Sequence, residues 1–279
     1  MKLLRVGEKG AEKPALLHSD GTYRDLSSVV PDITGKTIDA AGLAKIKAAD
    51  PSKLPVHDSM LRIGPCVGNV GKFICVGLNY ADHAAESNMP IPSEPILFMK
   101  ATSAIIGPND TVVVPKNSTK CDWEVELGVV IGKETRYVDE KDALGHVAGY
   151  CVINDLSERA FQKERGGQWV KGKSADTFGP LGPWLVTADE VPDPQGLGLR
   201  LWVNGALRQD GSTKNMIFGV AHIVWYLSQV MVLRPGDVIN TGTPAGVGMA
   251  RQRYLRPGDV TELEIAGLGR QRQRFVPAP

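Results

Sequence analysis

The sequence predicts a β-rich α+β fold. Three observations carry that prediction. Short runs of β-branched and aromatic residues recur along most of the chain. Turn residues are abundant, with 31 Gly and 19 Pro among 279 residues. Only a few segments show helical spacing, as expected when strands form the bulk of the core.

The elements follow in order. Leu3-Leu4-Arg5-Val6 and Pro14-Ala15-Leu16-Leu17 are short strand candidates, and residues 39–49 carry Leu43 and Ile46 at helical spacing. Pro51, Pro55 and Pro65 then interrupt the chain repeatedly. We therefore expect a small N-terminal α/β domain over residues 1–70 and a larger domain over 71–279. The larger part opens with a strand at 72–77 and a short helix at 79–86. Strands are expected at 96–99, 111–115, 124–131, 148–154, 184–187 and 199–203. A helix is expected at 216–231, with Phe218, Ala221, Val224, Trp225 and Leu227 on its apolar side. Late strands at 238–243 and 260–265 each follow a Pro-Gly-Asp turn, at Pro235 and at Pro257.

Charge and composition exclude several classes. Lys plus Arg number 32 against 31 Asp plus Glu, so the basic excess of a nucleic-acid binder is missing. No apolar run approaches the length of a membrane span. The N-terminal stretch MKLLRVGEKGAEKP becomes charged too early for a secretion signal. A cytoplasmic location is expected. Cys66, Cys75, Cys121 and Cys151 are scattered without paired spacing, which favours reduced, buried thiols over a disulfide framework or a zinc site.

The chemistry concentrates in Cys121-Asp122-Trp123-Glu124-Val125-Glu126-Leu127. Residues two apart on a strand share a face, so Glu124 and Glu126 point together, with Asp122 as a third candidate. Spacing alone favours a solvent-facing polar stripe. A second feature changes the balance: the apolar run Tyr150-Cys151-Val152-Ile153 ends abruptly in Asn154-Asp155. If Asp155 meets the two glutamates, three carboxylates converge and need protons or a cation to neutralise them. An all-oxygen set of this kind suits Mg²⁺ or Mn²⁺.

Further motifs stand in order along the chain. They are Gly77-Leu78-Asn79-Tyr80 with His83 and Glu86; Phe98-Met99-Lys100; the Asp122–Leu127 segment; Asn154-Asp155 with Arg159 and Gln162; Trp169 with Lys173; Asp176-Thr177-Phe178-Gly179-Pro180; and Thr241-Gly242-Thr243-Pro244-Ala245-Gly246-Val247-Gly248. Together they resemble the fumarylacetoacetate hydrolase family from about residue 70 to the C-terminus. The resemblance implies a mixed β-sandwich roll and an assembly as a homodimer or dimer of dimers. It implies Mg²⁺ or Mn²⁺ held by Glu124, Glu126 and Asp155. His83 and Glu86 would lie on a short lid helix and activate water. Lys173, with the Gln162 amide, would stabilise an oxyanion; Lys171 lies two residues away and could take that place instead. Tyr80, Lys100, Arg159, Gly242 and Thr243 would bind substrate, although Lys100 reads almost as well as a plain strand-end lysine. His83 and Glu86 are three apart, so a helix puts them on one face. His222 reads as structural, and His18, His57 and His146 lack chemical context.

The same resemblance implies cleavage, decarboxylation or isomerisation of a 2-oxo acid carrying a second carbonyl. The whole chain is most similar to enzymes that hydrolyse 2,4-diketo-3-deoxy-L-rhamnonate or -L-fuconate to pyruvate and lactate. In that case the polar stretch Glu164–Gln168 would serve the hydroxylated tail. Ureidoglycolate lyase and acylpyruvate or fumarylpyruvate hydrolase are the alternatives. A protein that binds metal and dicarboxylate without turnover is a more distant one.

Overall fold

A computed structural model describes residues 1–58 and 60–279. Its backbone is a mixed, strand-rich α+β fold dominated by one eleven-stranded sheet and one five-stranded sheet. The large sheet runs, edge to edge, Val56–His57, Tyr23–Asp25, Lys13–Leu17, Lys2–Val6, Gly179–Thr187, Val147–Asn154, Val125–Ile131, Val238–Asn240, Phe73–Gly77 and Ile96–Lys100, with Ile105–Ile106 added beside Gly179–Thr187. The smaller sheet orders Ala206–Ser212, Gly198–Val203, Val260–Ile265, Gly269–Pro277 and Val112–Val114.

The N-terminal strands belong to the same large sheet as the rest of the chain. Leu3 registers with Leu185, so the first strand extends the sheet through Gly179–Thr187. The helix Ala40–Ala48 starts where Asp39 accepts a hydrogen bond from the Gly42 amide, as an N-cap does. Its Ile46, with Val30, Ile33 and Ile38, packs against Val130, Cys151, Ile153 and Leu185 on one face of the large sheet.

The other face packs against the five-stranded sheet. Val125, Leu127, Val129 and Val152 share a core with Leu199, Leu201, Leu263 and Phe275. With both faces covered, every residue of the strand Val125–Ile131 is buried. The solvent-facing stripe that spacing alone favours is therefore excluded. Glu126 lies on the face opposite Leu127, at the end of a sandwiched strand.

Two strands depart from hydrophobic alternation. Ala206–Ser212 and Gly269–Pro277 are absent from the sequence expectations. In the latter, Gln271 and Gln273 alternate with exposed arginines and are fully buried. Gln271 Nε2 donates to the carbonyls of Val152 and Gly182, and Gln273 Nε2 to that of Pro108. The expected helix at 216–231 is shorter, spanning Val220–Val230. All four cysteines are buried free thiols. Among the described residues, no helix is long and apolar enough to cross a membrane.

Candidate active site

The site forms where two neighbouring strands end beside one another. Val125–Ile131 and Val147–Asn154 are antiparallel neighbours, with Val125 opposite Asn154. Asp155 follows at once, and its amide donates to the Glu124 carbonyl at 2.9 Å. That bond draws Asp155 beside Glu124 and Glu126. The three carboxylates offer oxygens within 4.8 Å of one another, and all three residues are buried.

Three cations surround the triad. Lys173 Nζ lies 2.5 Å from Glu124 Oε2 and 2.7 Å from Asp155 Oδ2. Lys100 Nζ donates to Asp155 Oδ1 at 2.6 Å and to the Leu156 carbonyl at 2.9 Å. Arg159 donates to Glu124 Oε1 at 2.6 Å, to Asp122 Oδ2 at 2.8 Å and to Gln162 Oε1 at 3.1 Å. Counting Asp122, four buried carboxylates face three buried cations, one negative charge more than the protein neutralises.

That surplus rests on Glu126. Burial, with repulsion from Asp155 and Glu124, pushes its carboxyl well above the usual range. Among the described residues, its hydrogen bond comes from the Gly242 amide at 2.9 Å. Gly242 has φ +96°, and a Cβ there would come within 2.8 Å of Asn79 Cβ, so glycine is required for this approach. Burial opposes the charge on Glu124 too, but Arg159 and Lys173 outweigh it and hold Glu124 well below the usual carboxylate range.

This donor set fits a hard divalent cation. It offers three oxygen ligands on buried backbone, and one carboxyl whose pKa burial and the two neighbouring carboxylates hold well above the usual range. Each carboxylate also keeps lone pairs beyond those used by Lys173 and Lys100.

Asp122 behaves differently from its neighbours. The chain leaves strand geometry at Trp123 and Glu124, and Cys121–Asp122 instead pairs with Ser157–Glu158. Asp122 accepts from the amides of Gly248 and Met249 and from Arg159. It anchors the 246–249 turn and is not part of the triad.

His83 and Glu86 both fall on the helix Ala81–Glu86. His83 lines the cavity over the triad, and its Nδ1 is buried without a hydrogen-bond partner. It stands 3.6 Å from Glu86 Oε2, an ion-pair distance longer than a hydrogen bond. Glu86 Oε2 accepts from the Gly246 amide at 2.8 Å. Burial works to raise the Glu86 pKa, but His83 and that amide outweigh it and hold it low.

Gln162, Arg159, Lys173, Gly242 and Thr243 all line the cavity with the triad. Thr243 spends its hydroxyl on the Val125 carbonyl and the Gln209 amide. Lys100 and Tyr80 lie outside the lining. Lys100 supports Asp155 from behind, and Tyr80 is fully buried with its hydroxyl unpaired. Lys171 is exposed and donates to the Arg165 carbonyl, so of the two lysines it is Lys173 that meets the triad. The remaining wall is apolar: Val76, Leu78, Met89, Ile96, Phe98, Trp169 and Met249. Ser87 and Lys163 also line it, and sequence reasoning singled out neither. The only available signal was adjacency, Ser87 closing the His83 helix and Lys163 following Gln162.

A carboxylate triad on sandwiched strands, ringed by lysines and arginine beneath a histidine helix, defines the class as a metal-site enzyme scaffold. Residues 72–276 match the family model described as fumarylacetoacetate (FAA) hydrolase C-terminal. The chain belongs to the fumarylacetoacetate hydrolase family, whose members are enzymes, among them hydrolases and isomerases. A Burkholderia multivorans protein, described only provisionally as a hydrolase, is 59% identical over 276 residues, covering 98% of each chain. The fumarylacetoacetate hydrolase of Exiguobacterium antarcticum is 36% identical with a TM-score of 0.89, covering 100% of both chains. The maleylpyruvate hydrolase of Sphingobium sp. SYK-6, solved with manganese(II) and pyruvate, is 30% identical with a TM-score of 0.84, again covering 100% of both.

Proposed function

We propose that the protein hydrolyses a carbon–carbon bond in a 2,4-dioxo acid, releasing pyruvate and a second acid. The single observation that carries this reading is the buried Glu124, Glu126, Asp155 triad facing His83 across one cavity. Mg²⁺ or Mn²⁺ held by the triad would supply Lewis-acid stabilisation of the enolate character that develops on the pyruvate half. The similarity to a maleylpyruvate hydrolase solved with manganese and pyruvate supports that assignment.

The chain's own residues take the remaining roles. His83, its Nδ1 free and Glu86 beside it, accepts a proton from water that attacks the C4 carbonyl. Lys173 uses two of its three N–H donors on Glu124 and Asp155, which leaves one for the oxyanion. Gln162 accepts from Arg159 through its carbonyl oxygen, which turns its amide donors to the same purpose. The C3–C4 bond then breaks, C3 takes a proton, and one water is consumed overall. The apolar walls exclude competing solvent.

A 6-deoxy sugar acid, such as 2,4-diketo-3-deoxy-L-rhamnonate, is the second reading, motivated by the resemblance of the sequence motifs alone. Against it, none of Glu164–Gln168 lines the cavity, so the polar groups expected for a hydroxylated tail stand elsewhere. A homodimer in the cytoplasm belongs to the same proposal. The test is to incubate metal-loaded protein with a panel of acylpyruvates and deoxy-dioxo sugar acids and to measure pyruvate with a coupled dehydrogenase. Absence of pyruvate from every member would refute hydrolysis.

A further inference from the structure

We propose that Asp122 and Trp123 are positioning residues for the His83–Glu86 pair, which they hold over the triad through the turn at 246–249. This role rests on the reading of that pair as the proton acceptor and goes on to say what keeps it in place. The helix Ala81–Glu86 has only six residues, too few to be stable by itself. Among the described residues, its side chains tie it to the rest of the protein at two points. Near its start, Asp82 accepts from Asn215 Nδ2 at 3.3 Å on the exposed surface. At its end, Glu86 Oε2 accepts from the Gly246 amide at 2.8 Å. The same oxygen stands 3.6 Å from His83 Nδ1. The Gly246 amide therefore fixes the atom beside which the imidazole sits.

Gly246 is gripped in turn by the two residues that precede Glu124. Trp123 is 2% exposed, and its Nε1 donates to the Gly246 carbonyl at 3.1 Å. Asp122 accepts the Gly248 amide on Oδ1 at 2.6 Å and the Met249 amide on Oδ2 at 3.0 Å. Gly246 has φ +107°, and a Cβ there would come within 2.1 Å of the Arg208 carbonyl oxygen, so the turn also lies hard against the strand Ala206–Ser212. Arg159 carries the same chain of bonds into the metal site, from Asp122 Oδ2 at 2.8 Å to Glu124 Oε1 at 2.6 Å.

The segment that presents the metal ligands thus also builds the dock for the helix above them. A six-residue helix held at its end by one amide can open as a local unit while the core stays closed. Each bond in the dock biases that opening, and a neutral hydrogen bond shifts it by about fivefold.

Hydrogen exchange on the metal-free protein tests this without substrate. Trp123→Phe keeps an aromatic ring and removes the Nε1 donor. Amides of residues 81–86 should then exchange about fivefold faster or more, while those of 125–131 keep their wild-type rates. Glu86→Ala cuts the dock from the helix side and should accelerate the same amides at least as much. The double variant should exchange no faster than Glu86→Ala alone, because both changes break one link. Unchanged exchange over 81–86 in either single variant, additive acceleration in the double variant, or equal acceleration over 125–131 would overturn the proposal. In the Mn²⁺-loaded enzyme, Trp123→Phe should lower kcat by about fivefold or more, with KM and Mn²⁺ affinity unchanged. Faster exchange beside an unchanged kcat would also overturn the positioning role. A wild type that turns over no acid in the panel would refute the hydrolysis reading and leave the exchange result standing.

Discussion

Lys100 and Asp155 form an ion pair closed off from solvent, with Nζ 2.6 Å from Oδ1 and side chains 0% and 1% exposed. Lys100 sits on the edge strand Ile96–Lys100, with two strands between it and Val125–Ile131 in the large sheet. It reaches under the site to hold one carboxylate of the triad. Removing one partner of a buried pair leaves an uncompensated charge. Lys100→Met should therefore destabilise the protein by about 3 kcal/mol, measured by urea unfolding. A near-neutral result would mean that Lys173 alone suffices for Asp155.

Asp122 and Glu124 are close in sequence and differ in task. Glu124→Ala removes one carboxylate of the triad, so calorimetric titration with Mn²⁺ should show binding abolished or severely weakened. Asp122→Ala removes the acceptor for the Gly248 and Met249 amides and one partner of Arg159. It should retain Mn²⁺ stoichiometry while lowering stability by roughly 2–3 kcal/mol. If Asp122→Ala loses the metal and Glu124→Ala keeps it, the assignment of ligands is wrong.

His83→Gln and Glu86→Gln should each reduce turnover by about 100-fold or more, the usual contribution of a positioned general base. Mn²⁺ affinity should hold in both. Activity equal to wild type in either variant would place the base elsewhere in the cavity.

Glu126 predicts how metal-free stability depends on pH. Its carboxyl is raised well above the unfolded value of 4.5 by burial and by Asp155 and Glu124. Above that value the folded protein holds a proton that the unfolded chain releases. This contribution is complete below about pH 4.5 and is lost as pH rises through the folded pKa. Melting temperature in EDTA should therefore fall from pH 5.5 to 8.5 in the wild type. Glu126→Gln should flatten that slope. Mn²⁺ affinity should rise over the same range, because the cation displaces the proton.

Gln273 supports the site from the second sheet. It accepts from Asn154 Nδ2 and Thr261 Oγ1, and Asn154 Oδ1 in turn accepts from the Glu124 amide. Gln273→Leu should lower stability by about 2 kcal/mol. Its failure to do so would show that water replaces the amide.

Much of this was legible from the chain alone. Alternation in the Asp122–Leu127 segment, the abrupt end of Tyr150–Ile153 in Asn154-Asp155, and the spacing of His83 and Glu86 are local patterns. Local pattern suffices for strand type, helix face and candidate ligands. The ordered motifs also pointed to the family that the comparisons bear out.

Other features depended on residues far apart in sequence. Gln271 and Gln273 look like surface residues among arginines, because their partners are carbonyls at Pro108, Val152 and Gly182. Lys100 is a strand-end lysine until the sheet order places it behind Asp155. Asp122 shares its alternation with Glu124, and only the 246–249 turn draws it out of the triad. The sequence by itself determined which residues could carry metal and proton chemistry. Tertiary structure decided which carboxylates are neutralised, by which cations, and that Glu126 is left with the unmatched charge. Electrostatic energy in a buried site depends on distances between atoms more than a hundred residues apart, such as Glu126 Oε2 and the Gly242 amide, and no local pattern encodes those.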